Sequence, residues 1–420
     1  MAAAGSGTAR AQRGAPPPVA PPREGGERAP APADLLAALR PHEDVLWSSA
    51  RGTALARGTA ERLDLPWTVD LPGAVADRLR AVAASRAGEA VVVGALPFRT
   101  GEPAALVRPE RVLRTPGRLG PAAARGAAPV VVAEEPSPAE DVYRDSVRTA
   151  LDLLGAGDLE KVVLARALDV TAREDVDVRV LVAALARPDD DARVFSVPLA
   201  TDAGGVTSTA SGVVGRPPVL VGASPELLVS LTAGRVLATP LAGSTTRAAD
   251  PEEDAARARA LLASDKDRRE HALVVEAMVR ALRPWCADLV VPEAPELVAT
   301  PTVWHLATRL EGRTADPSTT SLHLARALHP TPAVGGTPSG PARAAIDRLE
   351  PVDRGFYAGA VGWTDASGDG EWAVTIRCGV VQGRSVRLHA GAGIVRGSDP
   401  DAELAETTAK LALLRSALGA

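Results

Sequence analysis

Glu403, Glu406 and Lys410 stand three and four residues apart, which places them on one face of a helix. Two carboxylates so placed can hold a divalent cation, or they can form a solvated acidic face with an i,i+4 Glu–Lys pair. Just upstream runs Ala390-Gly391-Ala392-Gly393-Ile394-Val395. Read as a glycine-rich turn leading to a helix start, it offers backbone N–H groups to an anion such as a carboxylate. Gly391 and Gly393 are therefore candidate anion binders. The run is not a dinucleotide fingerprint, because no βαβ unit surrounds it.

A second charged run, Asp265-Lys266-Asp267-Arg268-Arg269-Glu270-His271, opens another helix. It reads either as an exposed first turn, with acids favoured by the helix dipole, or as the source of a hard oxygen ligand in Glu270. Glu226, in Ser224-Pro225-Glu226-Leu227, has apolar neighbours that would raise its pKa and suit it to donate a proton; the alternative is a surface acid at a sheet edge. Lys161 begins Lys161-Val162-Val163-Leu164-Ala165, an apolar strand. A buried lysine can serve as a base where an arginine cannot, and the alternative is a solvated strand end. Arg377 lies in an apolar run, Ala373 to Cys378, so it needs an anion: a substrate carboxylate or an internal partner. His305 and His329 are lone histidines that fit either a ligand site or the core. No Ser/His/Asp or Cys/His nucleophile set stands out.

Composition narrows the classes. The 420 residues are 46% hydrophobic and 24% charged with a net charge of -5, ordinary for a soluble globular protein. Mixed charge without a basic stripe argues against nucleic acid, and no segment is apolar enough to span a bilayer. Cys286 and Cys378 are too few for a disulfide framework or a Cys-x-x-Cys zinc site, which fits a reducing, cytoplasmic setting. Of 47 basic residues only Lys161, Lys266 and Lys410 are lysine. In a chain biased toward arginine, surviving lysines mark positions where a guanidinium fails, or survive by chance.

These residues need elements to hold them. Residues 1–33, rich in Ala, Pro, Gly and Arg, read as a disordered tail. Residues 34–135 mix short strands with Pro/Gly loops and carry no chemical motif, and 136–420 form the catalytic domain. Periodicity predicts helices near 138–155, 178–187, 251–262 and 265–283. It predicts strands near 161–165, 194–199, 219–222, 356–363, 372–381 and 386–392. Residues 201–218 read as a mobile hairpin or insertion. The last helix runs from Pro400 to about Leu418, capped by Asp399. The order implies an α+β fold with large, mostly antiparallel sheets.

Taken in order, the segments from about Ser137 onward resemble the chorismate-utilising enzymes, most closely the isochorismate synthases of catechol-siderophore pathways. The motifs that carry the resemblance are K-V-V-L-A-R from Lys161, G-A-S-P-E-L-L from Gly222, P-L-A-G-S from Pro240, D-K-D-R-R-E-H from Asp265 and T-P-T-V-W-H-L-A-T from Thr300. L-H-P-T-P-A from Leu328, L-E-P-V-D-R from Leu349, W-A-V-T-I-R-C from Trp372, A-G-A-G-I-V from Ala390 and E-T-T-A-K-L from Glu406 complete them. The resemblance implies Lys161 as the base that activates water and Glu226 as the acid that protonates the departing C4 hydroxyl of chorismate. It implies Mg²⁺ on Glu270 and Glu406, with Glu403 close by through water. Arg377, Tyr357 and the N–H groups near Gly391 and Gly393 would bind the enolpyruvyl carboxylate. Gly243, Ser244, His305, Ala333 and Lys410 would complete the pocket of a monomeric enzyme. A salicylate synthase or an aminating relative is the alternative; Ala333 speaks against the first and Lys161 against the second.

Overall fold

The computed structural model describes residues 30–120, 126–187, 191–199 and 216–420. The 1–33 tail lies outside these residues except for its last four, and the 201–218 insertion except for its last three. Among the described residues three sheets form, and every strand pair is antiparallel. The largest has ten strands. Its central ladder sets Lys161–Ala172 against Ser385–Ile394, then Cys378–Gln382, Val219–Ser224, Arg193–Pro198 and Val45–Ser49. The second has nine strands, with Leu227–Thr232, Gly370–Val374, Ala360–Asp365 and Val91–Leu96 at its middle. A small third sheet joins Leu241–Thr246, Val303–Ala307 and Glu296–Ala299.

Period-two burial explains how the sheets stack. Leu220, Phe195, Trp47 and Leu164 of the ten-stranded sheet share one core with Val229, Trp372 and Val361 of the nine-stranded sheet. The alternate residues Val219, Val221, Val194 and Leu46 face a second core. Helices Pro32–Ala37 and Val178–Leu185, with the end of Pro400–Ala417, cover that face. Residues 34–135 supply strands to both large sheets, so they share these cores with the rest of the chain.

Three sequence expectations need correction. Residues 372–381 are not one strand. Gly370–Val374 belongs to the nine-stranded sheet and Cys378–Gln382 to the ten-stranded one, and Arg377 stands in the link between them with φ +50°. Apolar residues on both sides hide such a change of sheet. Second, Ala390–Ile394 is the end of the strand Ser385–Ile394, not a turn. Third, the strand expected from Phe356 begins only at Ala360, after a turn.

Candidate active site

The chain crosses between the two large sheets twice at one place. Pro225 and Glu226 connect Val219–Ser224 to Leu227–Thr232, and Thr375 to Arg377 make the return crossing. The crossings hold each other: Val374 N–H donates to Glu226 O at 3.1 Å, Ala223 N–H to Arg377 O at 3.1 Å, and Ser224 Oγ–H to Val374 O at 2.6 Å. Both charged side chains are thereby fixed at the mouth of the same inter-sheet gap. Arg377 adopts the left-handed conformation that non-glycine residues avoid, which is strain of the kind functional sites hold.

A cavity of about 240 Å³ opens there. Its lining includes Glu226, Gly243, Ser244, Glu270, His305, Ala333, Tyr357, Arg377, Gly391, Gly393, Glu403, Glu406 and Lys410. Lys161 alone of the expected residues is not in the lining. It is fully buried, 1% exposed, and its Nζ lies 2.9 Å from Glu270 Oε1. Glycine at 393 makes that possible, because a Cβ there would meet Glu270 Oε1 at 2.5 Å and Lys161 Cε at 3.0 Å. The amides of Gly391 and Gly393 face away from the strand beside them. Their register partners Ala165 and Val163 direct their own N–H groups to Glu350 and Gly335 on the opposite edge. The free backbone amides expected from a turn thus stand at a strand end.

The second wall is helical. Asp399 accepts N–H bonds from Asp401 and Ala402 and starts Pro400–Ala417, while Ser264 caps Asp265–Leu282. Leu404, Thr407, Leu411 and Leu414 bury one side of the last helix. Glu403 is itself buried, so the acidic face is no solvated one. Lys410 Nζ lies 2.5 Å from Glu406 Oε1 and donates to Gly391 O at 2.9 Å. Ser244 Oγ–H donates to Glu406 at 3.2 Å, and Lys266 Nζ is 3.7 Å from Glu403. Gly243, at φ +75°, makes the bulge that turns Ser244 inward, and a Cβ there would press on Asp267 at 3.1 Å.

Burial pushes the Glu226 carboxyl up to about 7, against the opposing pull of the Leu241 N–H and the charges of Lys161, Arg377 and Lys410. Glu403 is also raised to about 7, by burial and then by Glu406 and Glu270. Desolvation pushes Glu406 up too, but Lys410, Ser244 and Lys266 together outweigh it and hold that carboxyl below its ordinary value. His305 is held neutral by burial and by the charges of Arg377 and Lys410. Its Nε2 has no hydrogen-bond partner among the described residues. His329 lies away from the cavity lining; its Nε2 meets Phe98 O at 3.0 Å and its ring packs on Trp67 and Phe98, so it is structural.

Residues 121–419 match the family described as "Chorismate binding enzyme". The chain belongs to that family. This chorismate-binding enzyme is 47% identical over 391 residues to the MenF protein of Mycobacterium tuberculosis, covering 91% of this chain and 98% of that one. It is 44% identical to the isochorismate synthase DhbC of Bacillus subtilis, over 83% of this chain and 86% of the relative. The solved structure of DhbC from Bacillus anthracis superposes with a TM-score of 0.84 at 40% identity, covering 93% of this chain and 100% of that one.

The donor set fits a magnesium ion in kind. Glu270, Glu403 and Glu406 offer hard oxygens from two helices to one cavity, and Glu403 is raised partly by the other two. As placed, each carboxylate has a lysine near it, and among the described residues no three acidic, His or Cys side chains form a closed metal cage. A bound cation would compete with those lysines. Two charged lining residues had no role from sequence: Lys266 and Asp267. The signal that could have found Lys266 is its rarity, since all three lysines of the chain stand beside one of the three carboxylates. Asp267 shares a helix face with Glu270, three residues on.

Proposed function

We propose that this chorismate-binding enzyme is a magnesium-dependent isochorismate synthase. The observation that carries the reading is a buried glutamic acid with a raised pKa in the wall of one cavity, and a fully buried lysine held just behind that wall against its lining residue Glu270. Converting chorismate to isochorismate adds the oxygen of water at C2 and removes the C4 hydroxyl. One proton must be taken and one given. Lys161 takes a proton from the attacking water as the C2–O bond forms. The ring double bond shifts and the C4–O bond breaks. Glu226, whose raised pKa of about 7 keeps a protonated fraction near neutral pH, gives its proton to the departing hydroxyl, which leaves as water. One water enters and one leaves, so the reaction is an isomerisation.

Arg377, Tyr357 and the amides of Gly391 and Gly393 bind the enolpyruvyl carboxylate. Gly243, Ser244, His305, Ala333 and Lys410 shape the remaining wall. Glu270 and Glu406 would hold the ion, with Glu403 through water, and the ion when bound would offset the charge of the ring carboxylate. The likeness to DhbC proteins supports a product destined for 2,3-dihydroxybenzoate and a catechol siderophore. The enzyme acts as a monomer in the cytoplasm, without nucleic acid. Its two cysteines are both free, and no described helix is long and apolar enough to cross a membrane.

One assay tests the activity: incubate the protein with chorismate and Mg²⁺ and separate the products. Isochorismate without pyruvate supports the reading. Pyruvate release equal to chorismate loss, followed with lactate dehydrogenase, would establish a salicylate synthase instead. Full turnover in excess EDTA would remove the metal. A deletion strain that still makes its catechol siderophore under iron limitation would refute the pathway assignment.

A further inference from the structure

The motif Leu349-Glu350-Pro351-Val352-Asp353-Arg354 is not part of the lining of the candidate active site, yet its Glu350 and Arg354 are buried. Arg354 grips Glu350 with two bonds, Nε to Oε2 at 2.8 Å and Nη2 to Oε1 at 2.5 Å. The side chains are only 2% and 5% exposed. The pair also binds three backbone groups. Arg354 Nη1 donates to Val334 O at 2.6 Å, Arg354 Nη2 to Val163 O at 2.9 Å, and Ala165 N–H donates to Glu350 Oε1 at 2.7 Å.

These groups lie where the ten-stranded sheet is interrupted. Along this edge, the strand Lys161–Ala172 pairs with Gly336–Thr337 at residues 161–162 and with Val131–Ser137 at residues 167–172. No described strand covers 163–166 between them. The ion pair, together with Gly335 O on Val163 N–H, takes the ladder's place. On its other flank the guanidinium stacks 4.3 Å from the Phe98 ring, and Arg354 O accepts the Tyr357 N–H at 2.8 Å. One buried pair therefore ties together the strand that begins with Lys161, the loop carrying Ala333 and the turn carrying Tyr357.

We propose that Glu350 and Arg354 are positioning residues, a charged clamp that fills the gap in the sheet and sets Lys161 against the rest of the cavity. The clamp rests on the functional reading above. A fork of fixed geometry suits the task, because a bidentate pair fixes orientation as well as distance. A charge is also hard to replace there, because removing one partner leaves the other buried and unpaired.

The test uses the full chain with Arg354→Met, Arg354→Lys, Glu350→Gln and wild type. It reads steady-state kinetics with chorismate and Mg²⁺, thermal melting, and amide exchange by mass spectrometry. A misplacement of about 1 Å costs on the order of 100-fold in turnover, so kcat should fall about 100-fold in Arg354→Met while KM stays within about threefold. Glu350→Gln, closer in shape, should lose about tenfold, and Arg354→Lys should recover part of the methionine loss. Exchange should quicken in peptides spanning 161–166 and 331–336, and elsewhere remain as in wild type. A lower melting temperature with unchanged kcat per folded molecule would overturn the clamp, as would uniform loss of protection across the chain. If wild type itself turns over no chorismate, the functional reading fails, and the exchange pattern still decides the clamp. Should Arg354→Met not fold, Glu350→Gln alone carries the same outcomes.

Discussion

Glu226 and Glu406 line one cavity and are both desolvated, yet they are displaced in opposite directions from an ordinary carboxylate. Glu226 sits on the sheet wall, where burial outweighs both the Leu241 N–H and the cations that act from a distance. Glu406 sits on the helix wall, with an ammonium at 2.5 Å and a hydroxyl at 3.2 Å. A direct ammonium partner stabilises the charged form locally, whereas a single neutral donor and distant charges do not offset the loss of water. The sheet wall thus favours the protonated form of Glu226, and the helix wall favours the charged form of Glu406. Glu403 shares the helix wall, but Ser398 and the more distant Lys266 do not offset its burial and the repulsion of Glu406, and it rises to about 7 like Glu226.

The largest expected effect is on the helix wall. Glu270→Gln and Glu406→Gln should each abolish turnover while circular dichroism stays native, because Mg²⁺ needs charged oxygen ligands. Substantial activity in either variant would leave that wall without a chemical role.

Lys161→Arg should come next. It keeps the charge beside Glu270 but cannot act as a base, so turnover should fall on the order of 100-fold or more, about as far as in Lys161→Ala. Near-wild-type turnover would make Lys161 an electrostatic anchor, and His305 would be the next base to test.

Glu226→Gln separates the walls by pH. With a folded value of about 7 against an ordinary 4.5, Glu226 keeps a proton in the folded chain that the unfolded chain releases between those values. Stability therefore falls as pH rises from 4.5 to about 7 and stays reduced above it. The penalty at pH 8 is on the order of 3 kcal/mol. Glu226→Gln should melt above wild type at pH 8 and lose that advantage near pH 4. Wild-type kcat should decline above about pH 7, and in Glu226→Gln kcat should drop about 100-fold and that decline should vanish. An unchanged alkaline limb in the variant would assign the acid elsewhere.

The smallest effect belongs to Lys266→Ala. The lysine is 45% exposed and 3.7 Å from Glu403. A half-exposed pair of this kind contributes about 1 kcal/mol or less, so KM for chorismate should move by less than about fivefold. A larger loss would show that the third lysine belongs to the binding machinery.

Much of this is legible in the sequence. Asp399 and Pro400 mark a helix start, and the spacing of Glu403, Glu406 and Lys410 puts them on one face whatever that helix packs against. The break between Val374 and Cys378 was not legible, since both flanking strands are buried and apolar and their pattern runs through Arg377 without interruption. Ala390-Gly391-Ala392-Gly393 read as a turn because glycine favours turns. Its small size instead serves a strand against which Glu270 and Lys161 pack closely.

By itself, then, the sequence determined which residue types stand at which local spacings: an acidic helix face, a lysine leading an apolar strand, a glutamate between apolar neighbours, and an α+β pattern of strands. Those follow from backbone periodicity, which needs only near neighbours. Tertiary structure alone decided that two sheet crossings and two helix faces converge on one cavity. It decided which carboxylate rises and which falls, and it let a charged pair from Leu349–Arg354 complete a distant sheet. Each of these depends on desolvation and on partners more than 100 residues away in the chain for several contacts, such as Ser244 with Glu406 and Arg354 with Val163. Local spacing carries no record of such distances.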